Sequence, residues 1–300
     1  MSRLPYPVRL WLQLPSPQQR EGIVVDPEQI KQATTAVFNK VAEGYDHPYS
    51  RYFPFAADKI LFLLKPRRGD KILDIATGTG VVATTLAKAI EPGRVHAIDL
   101  SEGMLDQLEK SMEKQGLTNI DVHVMDAESL EFRKEYFDTV VCSFGLFFLA
   151  DMLAALKEWV RVIKPGGSIM FTSFGPNAFQ PMTRLMLDRL EDYGVEVPKD
   201  RTKMGWYKLA TPEQGTALMQ QTGLTDINVV SKQLGFHLSS ATEWWEAVWN
   251  AGFRGLVDQV PEDKIDQFRK EHLDEVDKLK AKDGIWLDAE VLFFKATKPA

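Results

Sequence analysis

Three aspartates close three apolar runs in the first half of the chain. Asp74 ends Lys71-Ile72-Leu73, Asp99 ends Val95-His96-Ala97-Ile98, and Asp126 follows Ile120 to Met125. Just after the first comes Ala76-Thr77-Gly78-Thr79-Gly80-Val81-Val82-Ala83, a glycine turn that opens into a helix-forming stretch. Glycine at 78 and 80 lets the backbone turn sharply and approach a ligand, and the following helix offers unpaired N–H groups. The spacing Gly78-x-Gly80-x-x-Ala83, with an acid downstream at Asp99, also satisfies the dinucleotide fingerprint. The acids discriminate between cofactors. In an open doubly wound sheet, ligands bind outside the carboxyl ends of the strands, where all three carboxylates would converge. Two phosphates would meet unfavourable charge there, whereas S-adenosylmethionine brings a sulfonium, an ammonium, ribose hydroxyls and an adenine amine, all suited to carboxylates.

The elements that must hold these residues alternate regularly. The pattern predicts strands at 71–76, 94–99, 120–125, 137–143 and 168–174, with helices at 80–91, 101–115 and 151–163, which is a parallel α/β sheet. Later strands are expected at 226–236 and 285–297. Ahead of the first strand, Ile30, Val37, Phe38 and Val41, then Ala56, Ile60, Leu61 and Leu64, recur at helical spacing and predict a two-helix lid. Ser101 can cap its helix, and Thr211-Pro212-Glu213-Gln214 is a capping box with proline at the first helical position. The expected organisation is an irregular proline-rich arm at 1–28, a helical lid at 29–66, the binding core at 67–176 and a helical substrate cap at 177–225. The late strands at 226–300 carry a helical insert at 242–281.

Composition suits a soluble enzyme with a sizeable core: 300 residues, 44% hydrophobic, 26% charged, net charge −6. Thirty-six basic residues against 42 acidic ones, scattered along the chain, argue against a nucleic-acid partner. The single cysteine, Cys142, lies in an apolar run and reads as a buried structural thiol. No run approaches the ~20 apolar residues of a membrane span, and the amino terminus lacks a continuous signal core, so a cytoplasmic location is expected. The five histidines show no metal spacing, and no metal is expected.

Asp74–Gly80, Ala97-Ile98-Asp99-Leu100-Ser101-Glu102-Gly103-Met104-Leu105, Asp126-Ala127 and Arg161-Val162-Ile163-Lys164-Pro165-Gly166-Gly167 together resemble the class I adenosylmethionine-dependent methyltransferases. Within that superfamily, Val37-Phe38-Asn39-Lys40-Val41-Ala42-Glu43-Gly44-Tyr45-Asp46 and Ser143-Phe144-Gly145-Leu146 are most similar to the branch of ubiquinone and menaquinone C-methyltransferases. The similarity covers residues from about 35 to 175 and thins beyond. It implies a doubly wound, mostly parallel, seven-stranded Rossmann-like sheet whose two late strands close it as an antiparallel hairpin.

By that resemblance Asp99 grips the ribose hydroxyls, although it could instead cap the next helix. Asp126 accepts from the adenine amine beside the Ala127 N–H, or closes an Asx turn. Met104 packs against adenine or is core. Thr79 and Ser143 touch the amino acid end of the cofactor and Asp74 orients it, while Arg161 to Gly167 is scaffold. Methyl transfer from a sulfonium is an in-line displacement governed by positioning, so no catalytic residue is assigned; a base matters only for an acceptor that must lose a proton. Candidate bases are Tyr45, His47 and His237, while His96 and His123 read as structural.

Departures from the quinone branch narrow the acceptor. Where that branch shows Phe-Gly, an apolar residue, Arg and Asn, this chain has Phe144-Gly145-Leu146-Phe147-Phe148. Thr172-Ser173-Phe174-Gly175 stands for the expected Glu-x-Ser, and Tyr45-Asp46 runs on to His47-Pro48 rather than Met-Asn. Phe144, Phe147, Phe148, Phe174 and Phe179, with Trp206, Tyr207, Trp244, Trp245, Trp249 and Phe253, are core or the lining of a cleft for an apolar or aromatic small molecule. The sequence thus predicts a methyltransferase for such an acceptor, with quinone-precursor C-methylation second. A non-catalytic adenosylmethionine-binding module and a nicotinamide-binding protein are the readings from other classes.

Overall fold

The computed structural model describes residues 26–200, 202 and 204–300. The arm expected at 1–28 lies outside these residues up to position 25, and its last three residues are the cap and first two positions of a helix. Asp26 caps α1 (Pro27–Val41), its carboxylate accepting from the Glu28 N–H at 3.1 Å, with proline at the first helical position. Helix α2 (Tyr52–Leu64) follows and buries Ala56, Ala57 and Ile60 against the sheet domain.

The core alternates as the periodicity requires: β1 (Lys71–Ile75), α3 (Val81–Ile90), β2 (Arg94–Asp99), α4 (Glu102–Gln115), β3 (Ile120–Val124), β4 (Phe137–Ser143), α5 (Met152–Val162) and β5 (Ile163–Phe174). Then come α6 (Met182–Asp192), α7 (Pro212–Gln220), β6 (Thr225–Gln233), β7 (Phe236–Leu238), α8 (Ala241–Trp249), α9 (Arg254–Val257), α10 (Ile265–Asp277), β8 (Ile285–Leu287) and β9 (Glu290–Thr297). Seven strands form one sheet in the order β3-β2-β1-β4-β5-β9-β6, and β9 alone runs against its neighbours. Helices cover both faces, so Ile72, Leu73, Ile75, Val140 and Val141 are fully buried and these strands read as continuous apolar runs. Strand order reverses between β1 and β4, which opens a crevice at their carboxyl ends.

Three boundaries differ from the sequence pattern for local reasons. The predicted strand 285–297 is broken at Asp288, whose carboxylate accepts from Gln233 Nε2 at 2.7 Å and from the Glu290 N–H at 3.1 Å. Its first part therefore pairs with β7 in a separate two-stranded sheet. Strand β5 starts at Ile163, pairs with Phe137 and then loops out the Pro-Gly-Gly turn before resuming at Ser168, where 168 was expected as the start. The helical insert expected at 242–281 ends earlier, with α10 closing at Asp277. The capping box at Thr211 forms in full: the Thr211 hydroxyl accepts from the Gln214 N–H while the Gln214 side chain accepts from the Thr211 N–H.

Candidate functional site

The glycine turn joins β1 to α3 at the crevice. Gly78 (φ +56°) has open space where a Cβ would stand, and Gly80 (φ +81°) is held against α4 so closely that a Cβ would collide with Leu108. Gly78 therefore leaves room for a ligand, whereas Gly80 serves the packing of α3 on α4. Asp99, at the end of β2, accepts from the Gly78 N–H and the Ser101 N–H, both at 2.9 Å. Helix α4 is capped by the Ser101 hydroxyl, which accepts from the Met104 N–H at 3.2 Å, so capping does not consume Asp99. Burial pushes the Asp99 carboxyl upward, opposed by the backbone N–H groups of Ser101, Gly78 and Leu100.

These residues line a cleft of about 850 Å³, open to solvent, together with Met104, Asp126, Ala127 and Ser143. Six of the nine predicted site residues thus share one cavity. The other three stand behind it. Asp74 is buried beneath the turn, accepts from the Thr77 hydroxyl at 2.6 Å, and is pushed up to about 7 by burial, with the Asp99 charge adding to the rise. Thr79 is buried and donates its hydroxyl to Asp46 Oδ1 at 2.8 Å. Gly80 packs as described.

The motif 37–46 ties α1 and the turn after it to the crevice. Asn39 Oδ1 accepts from the Ser101 hydroxyl at 2.7 Å and the Gly103 N–H at 2.9 Å, and Asp46 accepts from Thr79. A third tie carried no motif: Lys31 Nζ bridges Asp126 Oδ2 at 2.6 Å and Glu128 Oε2 at 2.8 Å. Burial works against the charge on Lys31, but the hydrogen bonds and charges of Asp126 and Glu128 outweigh it and hold its pKa above the ordinary lysine value. Asp126 Oδ1 also accepts from the Glu128 N–H at 2.8 Å, so the Asx turn and the cleft position coexist. Met104 likewise does both, packing on Val41 and Ala42 at the end of α1 while facing the cleft.

Two residues at the crevice hold left-handed backbone without being glycine, Ala76 (φ +51°) and Phe144 (φ +57°). Gly145 lies against the first: a Cβ on it would stand 2.7 Å from Ala76 Cβ and 2.8 Å from Cys142 Sγ. Such strain is characteristic of sites where the fold over-determines a loop. The Phe144 N–H is satisfied by the Thr172 hydroxyl at 3.0 Å, which also meets the Ser143 hydroxyl at 3.2 Å. Thr172 thereby occupies a position the sequence marked only as a departure.

A second cavity, about 1010 Å³ with its opening to solvent included, shares Phe38, Tyr45, Phe144 and Phe148 with the cleft and is otherwise lined by residues such as Tyr52, Phe53, Phe147, Phe174, Phe179, Trp206, Tyr207 and Phe253. Of the aromatic residues predicted for core or cleft, Trp244, Trp245 and Trp249 lie outside that lining. Trp244 donates its indole N–H to the fully buried His272 at 2.8 Å, and burial pushes that imidazole down to about 4.

The candidate bases fall apart in space. Tyr45 stands on the wall between the two cavities, and burial raises its phenol well above its ordinary value, which keeps it a donor at neutral pH. His47 lines neither cavity; its Nδ1 accepts from the Tyr49 N–H at 3.1 Å, and its buried Nε2 has no partner among the described residues. His237 is exposed on β7 against Trp286. His96 and His123 stack beside Phe132, and the described residues hold no group of three metal-ligating side chains.

The donor set fits a cationic, hydroxyl-bearing cofactor. Asp99 and Asp126 face the cleft, and among the described residues its single lysine is neutralised by two carboxylates and no arginine lines it to receive phosphate. Comparison with known proteins agrees: the sequence pattern of the ubiE/COQ5 methyltransferase family matches residues 27–188. The chain belongs to that family. This methyltransferase uses S-adenosylmethionine. It is 33% identical over 48% of its length to the aklanonic acid methyltransferase DauC of Streptomyces sp. strain C5, a match that spans 66% of that relative, just under two thirds. With the ubiquinone/menaquinone biosynthesis C-methyltransferase UbiE of Cupriavidus metallidurans it shares 30% identity over 70% of this chain and 92% of the relative. The fold matches phosphoethanolamine N-methyltransferase 2 of Haemonchus contortus in complex with S-adenosyl-L-methionine. That match has TM-score 0.54 and 20% identity, covering 93% of this chain and 61% of the other.

Among the described residues no helix is long and apolar enough to cross a membrane.

Proposed function

We propose that this methyltransferase acts on a small apolar or aromatic molecule seated in the second cavity. The observation that carries the reading is the shared wall, where Phe38, Tyr45, Phe144 and Phe148 separate a polar cleft from a chamber lined mainly by rings and aliphatic side chains. Flat rings gain both burial and edge or face contacts in such a chamber. In the cleft, Asp99 holds the ribose hydroxyls, Asp126 and the Ala127 N–H hold adenine, and Met104 packs beside it. Gly78 and Ser143 border the amino acid end; Asp74 and Thr79 act from behind, the one by fixing the turn and the other by tying it to the lid. When bound, S-adenosylmethionine supplies the methyl group for an in-line displacement.

Among the described residues the chamber offers three phenols, Tyr45, Tyr52 and Tyr207, and the Thr183 hydroxyl, and no histidine or carboxylate. Burial raises the phenols of Tyr45 and Tyr52, so these two donate hydrogen bonds and do not take a proton. An acceptor served by this wall arrives with its nucleophile already available, as an acidic phenol or enol or as a neutral amine or thiol does. A second reading is C-methylation of a quinone precursor, favoured by the UbiE relatives and disfavoured by Phe147 and Phe148 standing where that branch carries a guanidinium and an amide.

The test is turnover of methyl-labelled cofactor with paired panels of apolar polycyclic phenols and small polar acceptors. Turnover of the apolar panel, with KM raised in Phe148→Ala, is expected. Turnover confined to polar acceptors sinks the proposal, and cofactor binding with no turnover on any panel favours the non-catalytic module.

A further inference from the structure

Helix α2 has two faces with opposite duties. Its first turn gives Tyr52 and Phe53 to the ring-lined chamber. The outer face shows Phe55 and Phe62, which are 44% and 63% exposed and rank among the few large hydrophobic side chains left in water. Seven residues apart, they lie on one side of the helix about 10 Å from each other along its axis. Lys59 sits between them with its ammonium 4.4 Å from the Phe62 ring centre.

The charge around this face is unusual for the chain. From Arg51 to Arg68 five cations stand against one carboxylate, Asp58, whereas the whole protein carries −6. None of the five makes an ion pair among the described residues, and the field of Lys65 adds to the desolvation that lowers the pKa of neighbouring Lys295. Lysines and arginines without acidic partners, flanking exposed phenylalanines, match the physics of a helix lying at a membrane interface. There the rings enter the headgroup and acyl boundary while the cations remain beside anionic headgroups. A second copy of the chain would set like charges against each other.

We propose that the outer face of α2 docks this protein on an anionic lipid surface. Docked in this way, the helix whose inner side walls the chamber rests on the phase in which apolar molecules dissolve. The inference does not depend on which acceptor is methylated, because lipid binding requires neither cofactor nor acceptor.

The experiment is sedimentation of the full chain with vesicles of equal parts phosphatidylcholine and phosphatidylglycerol, and with pure phosphatidylcholine vesicles. Binding to the anionic vesicles, weakened by salt and by the absence of phosphatidylglycerol, is expected. Phe55→Ser with Phe62→Ser should lower partitioning about tenfold or more while leaving circular dichroism and cofactor affinity unchanged, because both rings lie outside the core. Lys59→Glu with Lys65→Glu should abolish the preference for anionic over neutral vesicles. Failure of the chain to bind anionic vesicles, or equal binding by the phenylalanine variant, overturns the proposal. So does a phenylalanine-dependent dimer in sedimentation velocity, which would assign the face to a second copy.

Discussion

Replacing Lys31 by methionine keeps the stem of the side chain and removes the charge that ties α1 to the crevice. In the structure that charge bridges Asp126 at 2.6 Å and Glu128 at 2.8 Å, with the lysine side chain about one-fifth exposed. Exposed pairs contribute ~0.2–1 kcal/mol each, and these two are less exposed than most, so about 2 kcal/mol for the double contact is a fair upper figure. Cofactor affinity falls in proportion to the fraction of molecules with the lid docked. A loss of up to ~2 kcal/mol in docking therefore raises the apparent Kd between threefold and roughly thirtyfold. Lys31→Arg should retain most of the affinity, since its guanidinium can bridge the same carboxylates. Calorimetry at low and high salt measures the affinity, and hydrogen exchange over residues 27–41 measures the docking. If exchange in α1 rises while Kd stays at the wild-type value, the lid is not required for binding. If neither changes, Lys31 is not a tie at all.

Two further predictions concern the acids. Asp99→Ala should weaken S-adenosylmethionine binding ten- to a hundredfold by calorimetry, from the loss of a charged hydrogen bond of ~1.5–3 kcal/mol; unchanged affinity in a folded variant would remove Asp99 from the cofactor site. Asp74 predicts a pH dependence. Its folded-state pKa of about 7 exceeds the ordinary 3.8, so between these values the folded chain binds the extra proton. Stability from this group is complete below about pH 4 and is lost as pH rises through 7. Asp74→Asn, which still accepts from Thr77, should flatten that decline, so that its melting temperature relative to wild type rises from pH 5 to pH 8. A parallel pair of curves would refute the assignment.

The sheet was legible because its central parallel strands, β1, β4 and the second half of β5, are buried on both faces and so appear as apolar runs between turn residues. What escaped the pattern are features fixed by contacts distant in sequence. Asp288 breaks the last predicted strand through a bond to Gln233. Lys31 was invisible because one lysine on an amphipathic helix looks like any other until Asp126 is placed beside it. The glycine turn was readable as a turn, yet only packing separates Gly78, which leaves space, from Gly80, which Leu108 crowds. The aromatic set divided for the same reason: composition assembles Phe144, Phe174 and Trp244 into one class, and topology sends the first two to the chamber wall and the third to a hydrogen bond with His272.

The wall shared by the two cavities has a thermodynamic consequence. Phe38, Tyr45, Phe144 and Phe148 cannot settle against one occupant without altering the surface offered to the other. Coupling of this kind is reciprocal: whatever factor the cofactor applies to acceptor affinity, the acceptor must apply to cofactor affinity. Any change at Phe148 that retunes the chamber therefore alters the hold on the methyl donor as well, and selection for a new acceptor cannot proceed without moving both constants.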